Sequence, residues 1–144
     1  MKILIFGLPG SGKTTLAKPF ADLIGGIHIN GDDIRNHYDD WDFSAKGRLR
    51  QSLRMRHLAD GIVLAGRIAV VDFVCPTQVT RDWFEADYTI WMDTIDKGRY
   101  DDTNEMFEKP EAVNYHVAKW FDDTHAQLAD VVNNYMRKKK EEKL

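Results

Sequence analysis

The run Gly7-Leu8-Pro9-Gly10-Ser11-Gly12-Lys13-Thr14 restricts the fold of this chain more than any other feature, because it matches G-x-x-x-x-G-K-[ST] throughout. Ile3 to Phe6 before it form a short continuous apolar run, the pattern of a parallel strand buried on both faces. Lys13 to Ile24 after it place Leu16, Ala17, Phe20 and Ile24 on one helical face, with Pro19 as a point of kinking. A strand, a glycine turn and a helix in that order make an anion site. The glycines let successive backbone N–H groups point at one centre, and the helix dipole favours negative charge there. Lys13 is expected to reach the β- and γ-phosphates of a nucleotide, and Thr14 to offer its hydroxyl to Mg²⁺. Gly10, Ser11, Gly12, Lys13, Thr14 and Thr15 are the expected contacts with ATP.

The rest of the chain reads as strands alternating with helices. Ile27 to Asn30, Ile68 to Phe73 and Tyr88 to Met92 suit further strands, with a marginal fifth between Ala112 and Val117. Asp32 or Asp33 is a candidate cap for a short helix through Tyr38. Ser44 is a candidate cap for a longer one ending at Gly66, Thr77 to Glu85 for a third, and Asp122 to Lys138 for the last. The last is expected to turn Leu128, Val131, Val132, Tyr135 and Met136 inward. Residues 94–110 are polar and aperiodic and read as a loop acting as a short lid. The alternation implies an α/β fold, a three-layer α/β/α sandwich around a parallel sheet of about five strands. In such sheets ligands bind beyond the C-terminal strand ends. A chain of 144 residues suits one domain.

Composition narrows the function. A formal net charge of −3 gives no overall basic field for nucleic acid. Cys75 is the only cysteine, so neither an intrachain disulfide nor a Cys-rich zinc site is available. No apolar stretch approaches the roughly 18 residues of a membrane span. The apolar N-terminus is too short for a signal peptide. The expected setting is cytoplasmic and the expected partner a small-molecule acceptor. A polynucleotide end and an oligomer are left open.

Ile29-Asn30-Gly31-Asp32-Asp33-Ile34-Arg35 follows the second strand, which delivers Asp32 to the edge that carries the phosphate loop. A carboxylate there suits a base for an attacking hydroxyl or a metal ligand through water; the competing role is a helix cap. Arg35, a turn further on, suits an anionic substrate. Lys97 and Arg99 are placed to close over the phosphates and neutralise developing charge.

Four segments resemble the adenylylsulfate kinase family. The phosphate loop through Thr15 is similar to G-L-S-G-S-G-K-T-T. Asn30 to Arg35 resembles D-G-D-N-[VI]-R. Asp42-Phe43-Ser44, then Arg48, Gln51 and Arg54, resembles G-F-S followed by a D-R-x-x-N-I-R-R helix. Phe73-Val74-Cys75-Pro76 with Arg81-Asp82 resembles F-I-S-P with its R-D. The resemblance implies a kinase of the nucleoside-monophosphate-kinase type. Its acceptor would be the 3′-hydroxyl of adenosine 5′-phosphosulfate. It places Asp32 near the reacting hydroxyl and Arg35 and Arg48 on the phosphosulfate. Phe43 would stack on the adenine, with Phe107 as the opposing aromatic. Gln51 and the Phe73, Val74 and Cys75 segment would contact substrate. The chain departs from the pattern at Asn30, Gln51 and Cys75, and keeps part of D-P-K-G-L-Y in Asp96-Lys97-Gly98-Arg99-Tyr100. Other readings are a kinase for a different hydroxyl (nucleotide, nucleoside, sugar or polynucleotide end) and a nucleotide-dependent switch.

Overall fold

The computed structural model describes residues 1–144. Its elements are β1 (Lys2–Gly7), α1 (Lys13–Ile24), β2 (Gly26–Asn30), α2 (Gly31–Tyr38), α3 (Ala45–Leu64), β3 (Ile68–Asp72), α4 (Gln78–Phe84), β4 (Tyr88–Met92), α5 (Asp101–Met106), β5 (Tyr115–Val117) and α6 (Thr124–Glu142). The strands form one parallel sheet in the order β2-β3-β1-β4-β5. β1 is central, and Ile3, Leu4, Ile5 and Phe6 are fully buried. Its alternate side chains face opposite layers, as the pleat requires. Ile3 and Ile5 pack with Leu16 and Phe20 of α1 and Leu128 and Val132 of α6. Leu4 and Phe6 pack with Met55 and Ala59 of α3 and Phe84 of α4. This is the expected three-layer α/β/α sandwich. Its strand order reverses direction at β1, so the loops after β3 and β4 diverge around the phosphate loop and open a crevice there.

Several local expectations shift. Asn30, not Asp32 or Asp33, caps α2: its side chain accepts from the Asp33 N–H at 3.0 Å. This leaves the carboxylate of Asp32 free for the crevice. Ser44 caps α3 as expected, accepting from Gly47 N–H. Spacing along α3 predicts an inward stripe of Leu49, Leu53, Met55, Leu58, Ile62, Leu64 and Ala65; of these Met55 alone is fully buried, and Gly47, Arg48, Gln51, Ser52 and Ala59 are buried with it. Residues 94–110 are not all loop, since six of them form α5. Asp101 and Asp102 suit its N-terminal turn. Six residues are too few to show a helical period. In α6, Ala129 rather than Val131 is buried. The helix runs on past the expected end at Lys138 to Glu142, so Lys139 and Lys140 also lie within it.

Candidate active site

The crevice is a cavity of about 520 Å³ at the C-terminal edge of the sheet. One wall is the phosphate loop, contributing Gly10, Gly12, Lys13, Thr14 and Thr15. Ser11 stays behind it, buried, with its hydroxyl unpaired. Gly12 has φ 95°, so the turn into α1 needs the left-handed region that glycine adopts freely. Lys13 Nζ donates to the Leu8 carbonyl at 3.1 Å. Burial pushes its ammonium down to about 8; Asp72 and Asp32 pull it up, and nearby Arg99 lowers it further. A bound polyphosphate would stabilise the charge that burial disfavours.

Behind Lys13 lies a group that the sequence reading missed. Asp72 ends β3, is 1% exposed, and accepts from Thr14 Oγ1 at 3.1 Å and from Asn30 Nδ2 at 3.0 Å. His28 Nε2 donates to its other oxygen. Asn30 Nδ2 also donates to Thr14 Oγ1 at 2.9 Å. The sheet register explains the arrangement, because Asn30 and Asp72 are paired across β2 and β3. A carboxylate thus stands beside Asn30 and Thr14, on the neighbouring strand. A lone aspartate closing an apolar strand beside the phosphate loop was the available signal. Thr14 and Asp72 present adjacent hard oxygen donors, a set that fits Mg²⁺, which otherwise keeps waters and phosphate oxygens.

The opposite wall comes from α2, α3 and the segment between them. Asp32 lines the cavity from the first turn of α2. Arg35 donates to the carbonyls of Asp40 at 2.9 Å and Asp42 at 3.2 Å. Arg48 donates to the Phe43 carbonyl at 2.9 Å and to Thr103 Oγ1 of α5 at 3.0 Å. Both guanidiniums are buried, and burial pushes both below the ordinary arginine range. Their hydrogen bonds go to carbonyls and a hydroxyl rather than a carboxylate, so the site holds positive charge in want of an anion. Both lie over the Phe43 ring, at 4.6 and 5.3 Å from its centroid. Trp41 lines the mouth beside Phe43, with the ring centroids 6.3 Å apart. Asp40, held low by hydrogen bonds from Arg50 and Arg54, fixes this segment to α3.

Gln51 lines the cavity, but its Nε2 donates to the Gly31 carbonyl at 3.0 Å and so braces the start of α2. Phe73, Val74 and Cys75 form the floor. Burial pushes the Cys75 thiol up to about 12. Arg99 and Tyr100 lean in from the segment before α5. Phe107 does not reach the cavity. It stacks on Phe6, with centroids 6.5 Å apart, and packs against the core beneath α3 and α4. An apolar ring next to a buried cation gains more there than at an open mouth: Arg81 lies 5.1 Å from its centroid. The structure therefore brings every expected site residue except Ser11, Lys97 and Phe107 to the cavity.

A sequence model of the adenylylsulphate kinase family matches residues 1–95. The chain belongs to the adenylylsulphate kinase family. It is an ATP-dependent kinase with a P-loop fold. Among solved structures, it is similar to the APS kinase CysC of Mycobacterium tuberculosis in complex with AMPPNP and APS. That match has a TM-score of 0.76 at 15% identity and covers 92% of this chain and 96% of that one. A sugar kinase from Janibacter sp. HTCC2649 aligns with a TM-score of 0.69 at 16% identity, over 94% of each chain. A gluconokinase from Sinorhizobium meliloti 1021 aligns with a TM-score of 0.63 at 17% identity, over 94% of this chain and 96% of that one. At such identities the likeness speaks to the fold. No curated protein sequence matches the chain. No helix is long and apolar enough to cross a membrane.

Proposed function

We propose that this kinase transfers the γ-phosphate of MgATP to the 3′-hydroxyl of adenosine 5′-phosphosulfate. The observation that carries this reading is the pair of buried guanidiniums, Arg35 and Arg48, facing the phosphate loop across one cavity with Asp32 between. A doubly anionic phosphosulfate matches that charge. It would hold the acceptor so that its hydroxyl meets the γ-phosphate.

Main-chain amides of residues 10–15 and Lys13 would hold the triphosphate, and Thr14 and Asp72 would hold the metal. A Mg²⁺ ion held there would supply charge neutralisation to the phosphates. Asp32 orients the acceptor hydroxyl and takes its proton. The new oxygen–phosphorus bond forms as the bond to the ADP oxygen breaks, and Arg99 offsets charge on the departing phosphate.

The test is an acceptor screen with γ-labelled ATP over adenosine 5′-phosphosulfate, nucleosides, nucleotides, sugars and oligonucleotide ends. Label on the phosphosulfate, with a raised KM for it in Arg35→Ala and Arg48→Ala, supports the reading. Label only on acceptors without a phosphosulfate rejects it. One observation favours the alternative of another hydroxyl acceptor: Phe107 is in the core and both guanidiniums lie over Phe43, so the Phe43–Phe107 pair expected to hold the adenine is not assembled.

A further inference from the structure

Trp120 lies outside residues 1–95 and outside every motif discussed above, yet it touches the phosphate loop. A Cβ on Gly12 would collide with its Cζ2 and lie 2.9 Å from Cε2 and Nε1. The indole therefore stands edge-on against Gly12. It remains 40% exposed, beside an exposed Phe121. The loop that carries it is braced at both ends. Asp93 N–H donates to the Val117 carbonyl at 2.8 Å. Thr124, itself 4% exposed, donates through Oγ1 to the Phe121 carbonyl at 2.9 Å and accepts from the Phe121 N–H at 2.8 Å.

Topology gives this position a meaning. The acceptor wall follows β2 and β3, on one side of β1, whereas Trp120 follows β5, on the other. In-line transfer places the acceptor and the leaving ADP on opposite sides of the γ-phosphorus. With the γ-phosphate turned toward Asp32, the nucleoside end of the donor would leave the loop on the opposite flank, the β5 side, where Trp120 abuts Gly12. Phosphate-loop contacts alone do not distinguish ATP from a bare polyphosphate. A fixed aromatic surface on that flank does.

We propose that Trp120 is the stacking platform for the base of the donor nucleotide. The inference rests on ATP being the donor and is independent of the acceptor's identity.

The experiment measures dissociation constants of MgATP and of magnesium tripolyphosphate for the full chain, Trp120→Ala and Trp120→Phe. Loss of base–aromatic stacking predicts that Trp120→Ala weakens ATP about 5- to 150-fold. Tripolyphosphate affinity stays unchanged, and Trp120→Phe recovers most of the ATP affinity. ATP also quenches indole emission in the wild type, and that component is missing in Trp120→Phe. Equal weakening of both ligands would mean that the indole only supports Gly12, and would overturn the proposal. So would unchanged ATP affinity in Trp120→Ala.

Discussion

Replacing Asp72 by Asn removes one negative charge from the centre of the site with almost no change in shape. The amide oxygen can still accept from Thr14 Oγ1 and Asn30 Nδ2, now at 3.1 and 3.0 Å. The amide nitrogen would face His28 Nε2, which accepts in its other tautomer. The fold should therefore tolerate the change, while a metal held beside Thr14 loses its anionic oxygen. Changes of this kind cost about 10- to 100-fold in metal affinity, or about 1.4 to 2.7 kcal/mol. The assay is a Mg²⁺ titration of phosphoryl transfer, paired with Mn²⁺–ATP binding followed by electron paramagnetic resonance, which needs no turnover. The decisive variant is Asn30→Asp combined with Asp72→Asn. Because residues 30 and 72 are register partners and both touch Thr14 Oγ1, the swap returns a carboxylate to the same place from the neighbouring strand. It should recover most of the loss. A swap no better than Asp72→Asn alone, or an Asp72→Asn enzyme with wild-type metal dependence, would refute the reasoning.

Two further outcomes follow from buried groups. Arg81 donates to the carbonyls of Cys75 at 3.0 Å, Pro76 at 3.1 Å and Glu108 at 2.6 Å, tying the cavity floor to the end of the α5 segment. Arg81→Met should lower stability in urea by about 3 kcal/mol, since these buried carbonyls lose a charged donor. Arg81→Lys should recover less than half of it, because one ammonium does not span three carbonyls as a planar fork does; full recovery would show that charge alone matters. Cys75 should resist iodoacetamide in the native protein at pH 8 and react readily once unfolded, since a thiol raised from 9.0 to about 12 carries about a thousandfold less thiolate. The same shift has a sign: between those two values the folded chain keeps a proton that the unfolded chain releases, so stability falls as pH rises through that window. Cys75→Ser should flatten that part of the pH–stability curve.

What could be read from the sequence was what repeats or spells a motif. The phosphate loop, the strands flanking it and the cap at Ser44 each rest on local spacing, and local spacing survives folding. Asp72 was hidden because a continuous apolar run shows that a strand is buried without showing which neighbour its last side chain meets; only the pairing with Asn30 reveals that. Arg81 was hidden for a similar reason. Its three acceptors are main-chain carbonyls, which carry no residue identity. Phe107 was misplaced because an aromatic beside a charged segment suits a mouth or a core equally well, and the choice was made by Phe6 and Arg81, both far away in sequence.

The helix α3 shows how closely fold and site are joined. Spacing puts Leu49, Leu53, Met55, Leu58, Ile62, Leu64 and Ala65 on the inward face, yet of these the structure fully buries Met55 alone, buries Arg48, Gln51 and Ser52 beside it, and leaves Leu64 largely exposed. A helix placed only for packing would turn the other way, since burying polar groups costs energy unless each finds a partner. Here the partners exist: the Phe43 carbonyl and Thr103 for Arg48, and the Gly31 carbonyl for Gln51. Each also belongs to a segment that lines the cavity. The same face continues into the hydrophobic core, in which Met55 and Ala59, one and two turns further on, are buried and against which Ile62 and Val63 pack. The wall proposed to recognise the acceptor and the packing that holds α3 on the sheet are therefore one face of one helix. Substitutions that retune acceptor choice at Arg48 or Gln51 should change stability as well, whereas those at Trp41, at the exposed rim, should not.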